Sequence, residues 1–475
     1  MNKRALLVYL APESDDFFGI RPTKELKTTP KLGLQYLCAV LEEKGIKTEL
    51  LDQSYVSFSM EELVLRLKKT PWLFVGFYSA YSVGGKVVRS IQEIKKELKD
   101  LPIIVGGPGC FCPDEYLSGG CDFVCHGEGE RTIADLADYF EGKRSKGDLK
   151  GVSYFEHGGI KHAPPQDLIQ DLDTLPFPKR DKEQVEKSFN FQWFDSARPF
   201  INMVASRGCP FSCAYCASCN FWGNRYRSRS VANVMREIEE CKKLYQIKFI
   251  SFHDDVFGLN REWLRSFCEK MIAGKHDIRW ACMMHFTSLE DPGILELMGN
   301  AGCVGLVLGV QSVSARALRM SQRTPVSPVL LNEIVRKAKQ ANIMVKLQFI
   351  LGLPGEEQDT DEQNLALAIK ARSHYVFFYK FLMLEGSSFF KEFYGKEEML
   401  LKWEKTRGWA LLLHLRFYLH PVIFFQNLLF LGRRLPQAVR IFFSVLLYLG
   451  RTFLFVLGPK RHHGCDLIDD RKNPS

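Results

Sequence analysis

The sequence predicts an α/β protein with three parts: an open parallel sheet, a partial (β/α)6 barrel and a basic, apolar, helical tail. Three observations support this fold class. Short apolar runs alternate with helical patterns over residues 1–145, a second such series covers residues 196–395, and residues 396–475 are rich in Leu, Phe and Val. Alternation of strands and helices is typical of parallel sheets that helices cover on both faces.

The first series predicts five strands with helices between them. The strands are expected at 5–10, 46–51, 72–78, 103–105 and 123–125, and the helices at 34–44, 60–69, 83–98 and 132–140. Residues 146–195 are predicted to form a hairpin, with strands 152–155 and 160–163, and a proline-punctuated linker. Because open parallel sheets bind ligands at the carboxyl ends of their strands, we expect a ligand at that edge.

The second series predicts six strands, at 200–205, 249–252, 280–286, 304–310, 343–351 and 376–384. The helices between them have recognisable starts: Ser230 is expected to cap one, Asp291 to precede Pro292 in the first turn of another, and Ser327 to precede Pro328 in a third. Six units indicate an incomplete barrel, whose chemistry is expected at the carboxyl face of the strands.

Charge and cysteine content narrow the class of protein. The net charge is +9, and residues 402–475 hold 12 Lys and Arg against 4 Asp and Glu, so the rest of the chain is nearly neutral. A nucleic-acid partner is therefore not expected, since its binding would place positive charge on the folded core. Fourteen cysteines in a chain of this length, behind an apolar run too short for a signal peptide, indicate a reducing, cytoplasmic location.

One motif carries specific chemistry. Cys209, Cys213 and Cys216 have the spacing CxxxCxxC and directly follow a predicted strand. Thiolates hold iron–sulfur clusters, and three of them leave one iron of a 4Fe-4S cluster free to bind the amino and carboxylate groups of S-adenosylmethionine (SAM). The alternative is a zinc site with Cys219 as a fourth ligand.

Further short motifs accompany the cysteines in a fixed order. They are Gly33-Leu34-x-Tyr36-Leu37, Val105-Gly106-Gly107-Pro108, Gly127-Glu128-Gly129-Glu130, Tyr226-Arg227-x-Arg229, Asp254-Asp255-x-Phe257, Gly309-Val310-Gln311-Ser312 and Leu353-Pro354-Gly355-Glu356. Together they resemble the radical SAM superfamily, and most closely its branch with an N-terminal cobalamin-binding domain, the class B methyltransferase-like enzymes. The resemblance implies a flavodoxin- or Rossmann-like cobalamin domain at 1–145 and a radical SAM barrel at 196–395.

The resemblance also assigns SAM contacts to the ends of barrel strands. Asp254 and Asp255 are expected near the SAM amino group, Gln311 and Ser312 near its ribose and carboxylate, and Ile350, Gly352 and the backbone of Tyr215 beside the adenine. Gln311 departs from the family, which usually has Glu there; Gln keeps an acceptor but loses the charge. The alternative for Asp254 and Asp255 is a pair of solvated carboxylates or a helix cap.

Cobalamin binding is expected at Ser79, Gly106 and Gly107. The serine precedes the glycines by 27 positions, a spacing like that of cobalamin modules, and glycine lets a backbone approach a bulky ligand. The motif DxHxxG is missing from residues 1–145, so no histidine is expected to ligate cobalt. The alternative for the glycines is a strand-end turn without a ligand.

Four more cysteines permit a second metal site. Cys110, Cys112, Cys121 and Cys125 have a spacing typical of no known metal motif, and packing as small apolar residues is the alternative.

The tail predicts contact with a membrane surface. Residues 435–457 could form one helix with Arg440 and Arg451 on the same face, and residues 409–432 are apolar but interrupted by His414 and Pro421. Basic residues beside apolar ones are typical of segments that lie in the membrane plane, here at the inner face. A helical cap on the open barrel and a true membrane span are the alternatives.

These features predict an enzyme that makes a 5′-deoxyadenosyl radical and methylates an unactivated carbon, with a 4Fe-4S cluster, SAM and cobalamin as cofactors. The expected partners are a low-potential electron donor of the flavodoxin or ferredoxin type and a small-molecule or lipid substrate. The alternatives are a cobalamin-dependent oxidative cyclase or rearrangement enzyme, and a non-catalytic membrane-docking protein.

Overall fold

A computed structural model of the protein contains two main sheets, one after the other along the chain. It describes residues 3–12, 31–81, 83–188, 197–291, 293–396 and 407–432. The first sheet has seven strands and the second has six.

The first sheet has the strand order β2-β1-β3-β4-β5-β6-β7. Its strands are β1 (Arg4–Tyr9), β2 (Lys47–Asp52), β3 (Phe74–Tyr78), β4 (Ile103–Gly106), β5 (Phe123–Cys125), β6 (Val152–Glu156) and β7 (Gly159–His162). Its helices are α1 (Leu32–Glu43), α2 (Met60–Lys69), α3 (Gly84–Glu97), α4 (Pro113–Ser118) and α5 (Gly129–Phe140). The first five strands are parallel, in the order 2-1-3-4-5 of flavodoxin-like sheets. Such sheets bind ligands at the carboxyl ends of the strands, at the point between β1 and β3 where the strand order reverses.

The hairpin β6–β7 belongs to this sheet. We predicted it as part of a separate linker segment, but β6 pairs antiparallel with β5 and extends the sheet at that edge. Short-range pattern identifies a hairpin and cannot show which edge it joins.

The second sheet is wholly parallel and has the order β8-β11-β12-β13-β14-β15. Its strands are β8 (Phe200–Met203), β11 (Phe249–Phe252), β12 (Arg279–Met284), β13 (Cys303–Gln311), β14 (Met344–Leu351) and β15 (Tyr375–Lys380), and β9 (Ser206–Arg207) with β10 (Arg227–Ser228) forms a separate antiparallel pair. The accompanying helices are α6 (Lys182–Lys187), α7 (Ser218–Trp222), α8 (Val231–Tyr245), α9 (Arg261–Ala273), α10 (Ile294–Asn300), α11 (Ala315–Met320), α12 (Pro328–Gln340), α13 (Thr360–Ala371) and α14 (Ser388–Phe393).

The helix starts follow the predicted caps with one difference. The side chains of Ser230 and Ser327 accept hydrogen bonds from backbone N–H groups of α8 and α12. Helix α10 begins at Ile294, later than expected: its N-cap is Gly293 in the left-handed conformation, and the Asp291 carboxylate accepts a hydrogen bond from Arg265 at 2.7 Å. Pro292, predicted in that turn, lies outside the described residues.

The start of the predicted tail covers the open edge of the barrel. Helices α15 (Arg407–Tyr418) and α16 (Pro421–Gly432) follow β15. His414 Nε2 accepts a hydrogen bond from the N–H of Phe378 at 3.2 Å, and the Tyr418 hydroxyl bonds both backbone groups of Val376. Unpaired strand edges are usually covered in this way. Here the structure has the cap that the sequence offered only as an alternative.

The predicted helix at 435–457 lies outside the described residues. Among the described helices none is long and apolar enough by itself to cross a bilayer. Residues 408–418 and 421–427 reach that criterion only as a pair, which is bent by 66°.

Candidate functional site

A cavity of about 700 Å³ separates the first sheet from the mouth of the barrel. Gly106 and Gly107, at the end of β4, line it from one side. Cys216, His253 and Asp255 line it from the barrel side. The carboxyl ends of both sheets therefore border one space, as the sequence predicted for each sheet separately.

Glycines form much of the wall on the side of the first sheet. Gly33, Gly76, Gly106, Gly107, Gly127 and Gly129 all border the cavity. At Gly107 a side chain is excluded, because φ is +117° and a Cβ would lie 2.4 Å from the carbonyl oxygen of Ser79. A smooth backbone wall of this kind fits the flat face of a macrocycle such as cobalamin.

Ser79 lies behind this wall. Its side chain is fully buried and its hydroxyl lies 2.7 Å from that of Tyr116, while its carbonyl accepts a hydrogen bond from Gly109 N–H at 3.1 Å. The structure thus brings Ser79 close to Gly107 as a support for the turn, rather than as a surface of the cavity.

The cysteine loop is held at several points. Strands β9 and β10 pair at its two ends, Ala214 N–H donates to the carbonyl of Ser321 at 2.9 Å, and Cys216 N–H donates to that of Cys213 at 2.9 Å. Burial raises the pKa of Cys209 to about 11 and that of Cys216 to about 12. Cluster binding would therefore release protons from these thiols.

The geometry disfavours single-ion metal sites. Within the described ranges no three Cys, His, Asp or Glu side chains are grouped closely enough to hold one metal ion. The Cys219 thiol donates to the carbonyl of Cys216 at 3.5 Å and does not complete a zinc site. A four-iron cluster bridges thiolates that lie farther apart than the ligands of one ion, so the open loop fits it better.

The second cysteine set packs as ordinary core. Cys110 and Cys121 are buried, and the Cys121 thiol donates to the carbonyl of Phe123 at 2.9 Å. Burial also raises the pKa of Cys125 to about 12, which keeps this thiol protonated.

A buried ion cluster joins the two domains at the base of the cysteine loop. Arg207 of β9 contacts Glu128 at 3.1 Å and Glu130 at 2.5 Å, and Arg227 of β10 contacts Glu128 at 3.0 Å. Ile169 N–H also donates to Glu128 at 2.8 Å. The sequence motif around Glu128 was recognised by resemblance alone, and its role as an interdomain clamp was not predicted.

Asp254 and Asp255 face different ways. Asp254 is 3% exposed and accepts hydrogen bonds from the Ala205 N–H and the Ser206 hydroxyl, so it is not a solvated carboxylate. Burial raises its pKa to about 7. Asp255 borders the cavity and accepts a hydrogen bond from the Ser218 hydroxyl at 2.7 Å, which ties it to the end of the cysteine motif.

The ends of β13 and β14 meet through Glu356, which the sequence analysis placed in a motif but gave no role. Glu356 accepts hydrogen bonds from the Ser312 hydroxyl at 2.6 Å and from Gly352 N–H at 2.8 Å. Burial raises the pKa of Glu356 to about 7. Gln311, beside Ser312, has φ +72°, a strained conformation for a non-glycine residue of the kind that clusters at functional sites.

Tyr215 and Ile350 share one apolar cluster with Leu353 and Phe389. The structure therefore brings together the residues predicted beside the adenine. Phe389 N–H donates to the carbonyl of Ala214 at 2.9 Å and fixes this cluster to the cysteine loop.

Arg323 and His285 also flank the loop, and neither was predicted. Arg323 donates to the Cys213 sulfur at 3.7 Å and to the Gly309 carbonyl at 2.7 Å, and the His285 ring stacks on Phe211 with 4.0 Å between centroids. Neither residue lies in a motif that points to the cysteines, so only the folded chain reveals them.

Two basic side chains, Lys31 and His253, border the cavity. Lys31 precedes α1 and His253 follows β11. Burial lowers the pKa of Lys31. Burial and the positive charge of Lys31 lower the pKa of His253 to about 4, so its imidazole is neutral near pH 7.

Comparison with known proteins identifies the family. Residues 203–368 match the model of the radical SAM superfamily, and residues 26–137 match that of the B12 binding domain. The chain thus contains both a radical SAM domain and a B12-binding domain. The cofactors of this radical SAM enzyme are accordingly a 4Fe-4S cluster, SAM and cobalamin, and the enzyme needs a reductant and a small-molecule substrate.

Several relatives of this radical SAM enzyme have been described. An uncharacterized methyltransferase of Pyrococcus horikoshii is 28% identical over 74% of this chain and 75% of its own length. The anaerobic magnesium-protoporphyrin IX monomethyl ester cyclase of Cereibacter sphaeroides is 25% identical over 71% of this chain but only 56% of its own length.

The fold matches that of a solved radical SAM methyltransferase. TsrM from Kitasatospora setae, with cobalamin and a [4Fe-4S] cluster bound, superimposes with a TM-score of 0.67 at 18% identity, over 82% of this chain and 74% of TsrM. At that identity the likeness establishes the fold alone.

Proposed function

We propose that this enzyme transfers a methyl group to an unactivated carbon of a lipid-like substrate. One observation carries the proposal: the glycine wall at Gly106 and Gly107 and the cluster loop at Cys216 border the same cavity. When bound, the cluster and SAM supply a 5′-deoxyadenosyl radical, and cobalamin supplies a methyl group. Residues that hold the two cofactors on opposite walls would place both beside one substrate carbon.

The chain's own residues would bind and orient. Cys209, Cys213 and Cys216 are the proposed cluster ligands. Asp255, tied to the loop through Ser218, is placed to accept a hydrogen bond from an ammonium group next to the cluster. Asp254 holds the loop backbone instead of reaching the cavity.

Other residues would surround SAM and cobalamin. The apolar cluster of Tyr215 and Ile350 offers a flat surface to an adenine. Glu356 accepts hydrogen bonds from both Gly352 and Ser312 and so fixes the ends of the neighbouring strands β13 and β14. Ser79 supports the cobalamin wall from behind, because its N–H donates to the carbonyl of Gly106 at 2.8 Å.

The methyl-transfer proposal is tested with the reconstituted holoenzyme, methyl-labelled SAM and extracted membrane lipids, with a reductant of the flavodoxin or ferredoxin type. We expect 5′-deoxyadenosine together with labelled product, and loss of both in Cys216→Ala. Cys219→Ala is the matched control and should retain activity, because its thiol donates to the backbone carbonyl of Cys216 and is not among the residues that line the cavity. Formation of 5′-deoxyadenosine without labelled product from any lipid would contradict methyl transfer.

A second candidate is a cobalamin-dependent oxidative cyclase or rearrangement enzyme. The similarity to the Cereibacter cyclase favours it. The same assay separates the two functions, since a cyclase would give an altered product that carries no label. A non-catalytic protein would show full cluster occupancy but no cleavage of SAM.

The lipid-like substrate is proposed from the apolar surface of α15, α16 and the turn between them. Leu419, Phe424 and Phe425 are exposed by 67%, 43% and 60%. With the basic excess of residues 402–475, this surface would dock peripherally on anionic lipid at the inner face of the membrane.

In flotation with phosphatidylglycerol vesicles, Leu419→Ser combined with Phe425→Ser should release the protein from the vesicles. Val329→Ser, which removes an equally exposed apolar residue from α12, should not. Equal flotation of all three proteins would exclude docking through this surface.

A further inference from the structure

The interior of the barrel contains a buried lysine with no counter-charge. Lys346 is the third residue of β14 and its side chain is 7% exposed. Among the described residues, none forms a hydrogen bond or ion pair with its ammonium group, and burial alone lowers its pKa to about 8. The group therefore remains mostly protonated at neutral pH.

The layer at and below Lys346 is apolar. Val307 of β13 and Tyr375 of β15 are its register partners, and both belong to a buried cluster with Phe200 and Met344. This cluster fills the amino-terminal end of the barrel. A ligand for the ammonium group must therefore come from the opposite, carboxyl end of the strands, where the cavity and the cluster loop lie.

The side chain extends toward that end. The Lys346 ammonium nitrogen lies 4.1 Å from the ring centroid of Phe377, which pairs with Gln348, the next interior position of β14. Above it, the Gln348 side-chain amide donates to the Tyr379 hydroxyl at 3.2 Å. An aromatic face partly compensates a buried cation, but it leaves the N–H donors of the ammonium group unused.

We propose that Lys346 binds a carboxylate or phosphate group of the substrate inside the barrel. An uncompensated buried charge is costly, and a charge-assisted hydrogen bond to an anion removes that cost only when substrate is present. With its anionic end held by Lys346, the rest of the substrate extends toward the barrel mouth at Cys216 and Asp255. The inference rests on the proposed function in one respect, that the substrate enters this barrel.

The proposal is tested by anaerobic titration calorimetry of the full-length holoenzyme with three probes: octanoate, octyl phosphate and octanol. We expect at least one of the two anions to bind more tightly than octanol, and the comparison of octanoate with octyl phosphate identifies the natural group. Lys346→Met should weaken the preferred anion by at least about tenfold, because the charge-assisted hydrogen bond is lost, and Lys346→Arg should restore most of that affinity. Octanol binding should not change.

Lys339→Met is the matched control. Lys339 is a half-buried lysine on the outer helix α12 whose pKa burial likewise lowers to about 8, but its amine donates to Gln426, away from the barrel interior. Its loss should leave anion binding unchanged. Equal anion affinity of Lys346→Met and the parent protein, or no preference of the parent for anions over octanol, would overturn the proposal. If Lys346→Met does not fold, Lys346→Gln is measured in its place against the same criteria.

The outcome is independent of methyl transfer. Cleavage of SAM and product labelling are measured separately on the same variants. If the parent protein makes no labelled product but Lys346→Met loses anion binding, the methyltransferase assignment is refuted and this inference is retained. If the parent protein makes labelled product but Lys346→Met binds anions as tightly as the parent, this inference is refuted and the methyltransferase assignment is retained.

Discussion

Replacing Glu128 by Gln should destabilise the docking of the cobalamin-binding domain on the barrel. The substitution keeps the size of the side chain and removes its charge. Glu128 is the carboxylate that both Arg207 and Arg227 share, and its side chain is only 2% exposed. Arg207 keeps Glu130 after the change, whereas Arg227 keeps only backbone carbonyls.

The magnitude follows from leaving a buried guanidinium without its carboxylate. Removal of one partner of a buried ion pair costs about 3–5 kcal/mol, and the amide still accepts one hydrogen bond, so we expect about 3 kcal/mol. Unfolding entropy of about 2.1 cal/mol/K per residue gives roughly 1 kcal/mol/K for a chain of this size, so Tm should fall by about 3 °C. Glu130→Gln is the milder comparison, at about 1.5 kcal/mol, because Arg207 retains Glu128.

The assay is thermal unfolding of the anaerobic holoenzyme, followed by tryptophan fluorescence and by cluster absorbance. A double-mutant cycle with Arg227→Met isolates the pair. The double variant should lose less than the sum of the single losses, since it leaves no unpaired charge at that position. A change in Tm below 1 °C for Glu128→Gln, or strictly additive losses in the cycle, would refute the clamp.

Three further predictions concern other parts of the molecule. Gly107→Ala should abolish the absorbance change seen when cobalamin is titrated into the protein, and it should lower the free energy of unfolding by about 1–3 kcal/mol, because its Cβ would strike the carbonyl of Ser79. Gly159→Ala is the control, because the space around Gly159 is open. The folded protein holds the Asp254 proton more tightly than the unfolded chain does, with a pKa of about 7 against 3.8, so its contribution to stability is full below about pH 4 and is lost as the pH rises through 7. Asp254→Asn should therefore remove roughly 2–3 kcal/mol of the decline in urea-unfolding free energy between pH 5 and pH 8, and an unchanged slope would argue against a buried, protonated carboxyl. Tyr418→Phe should lower the free energy of unfolding by about 1–2 kcal/mol and speed amide hydrogen exchange at the edge strand β15, because the two hydrogen bonds between its hydroxyl and the backbone of Val376 are lost.

Local pattern was enough to predict most of the elements of this fold. Apolar runs of three to nine residues identified the parallel strands of both sheets, and serine caps identified the starts of α8 and α12. The glycines at 106 and 107 were expected at a strand end, and they lie at the end of β4, on the wall of the cavity. These features depend on neighbours within a few positions along the chain.

Features that depend on distant pairs were not predicted. Arg323 reaches the sulfur of Cys213 across 110 positions, and Glu128 meets Arg227 across 99. The covering of the edge strand β15 by the first tail helix was only an alternative in the sequence analysis, because it depends on contacts such as that of His414 with Phe378, 36 positions apart. Composition reports how much surface must be buried and cannot report which surface covers it.

The position of the ion cluster has a consequence for how the two cofactors are held. Arg207 and Arg227 are partners in the β9–β10 ladder that closes the cysteine loop, and Glu128 and Glu130 lie at the start of α5, on the wall that contains Gly127. The wall of the cobalamin cavity and the base of the cluster loop are thus joined by buried charges. Separating the domains would remove the buried carboxylates from their guanidinium partners. We therefore expect the two domains to stay together until all three ion pairs break. The separation between the cobalamin wall and the cluster loop is therefore set by this clamp and should be the same with and without substrate.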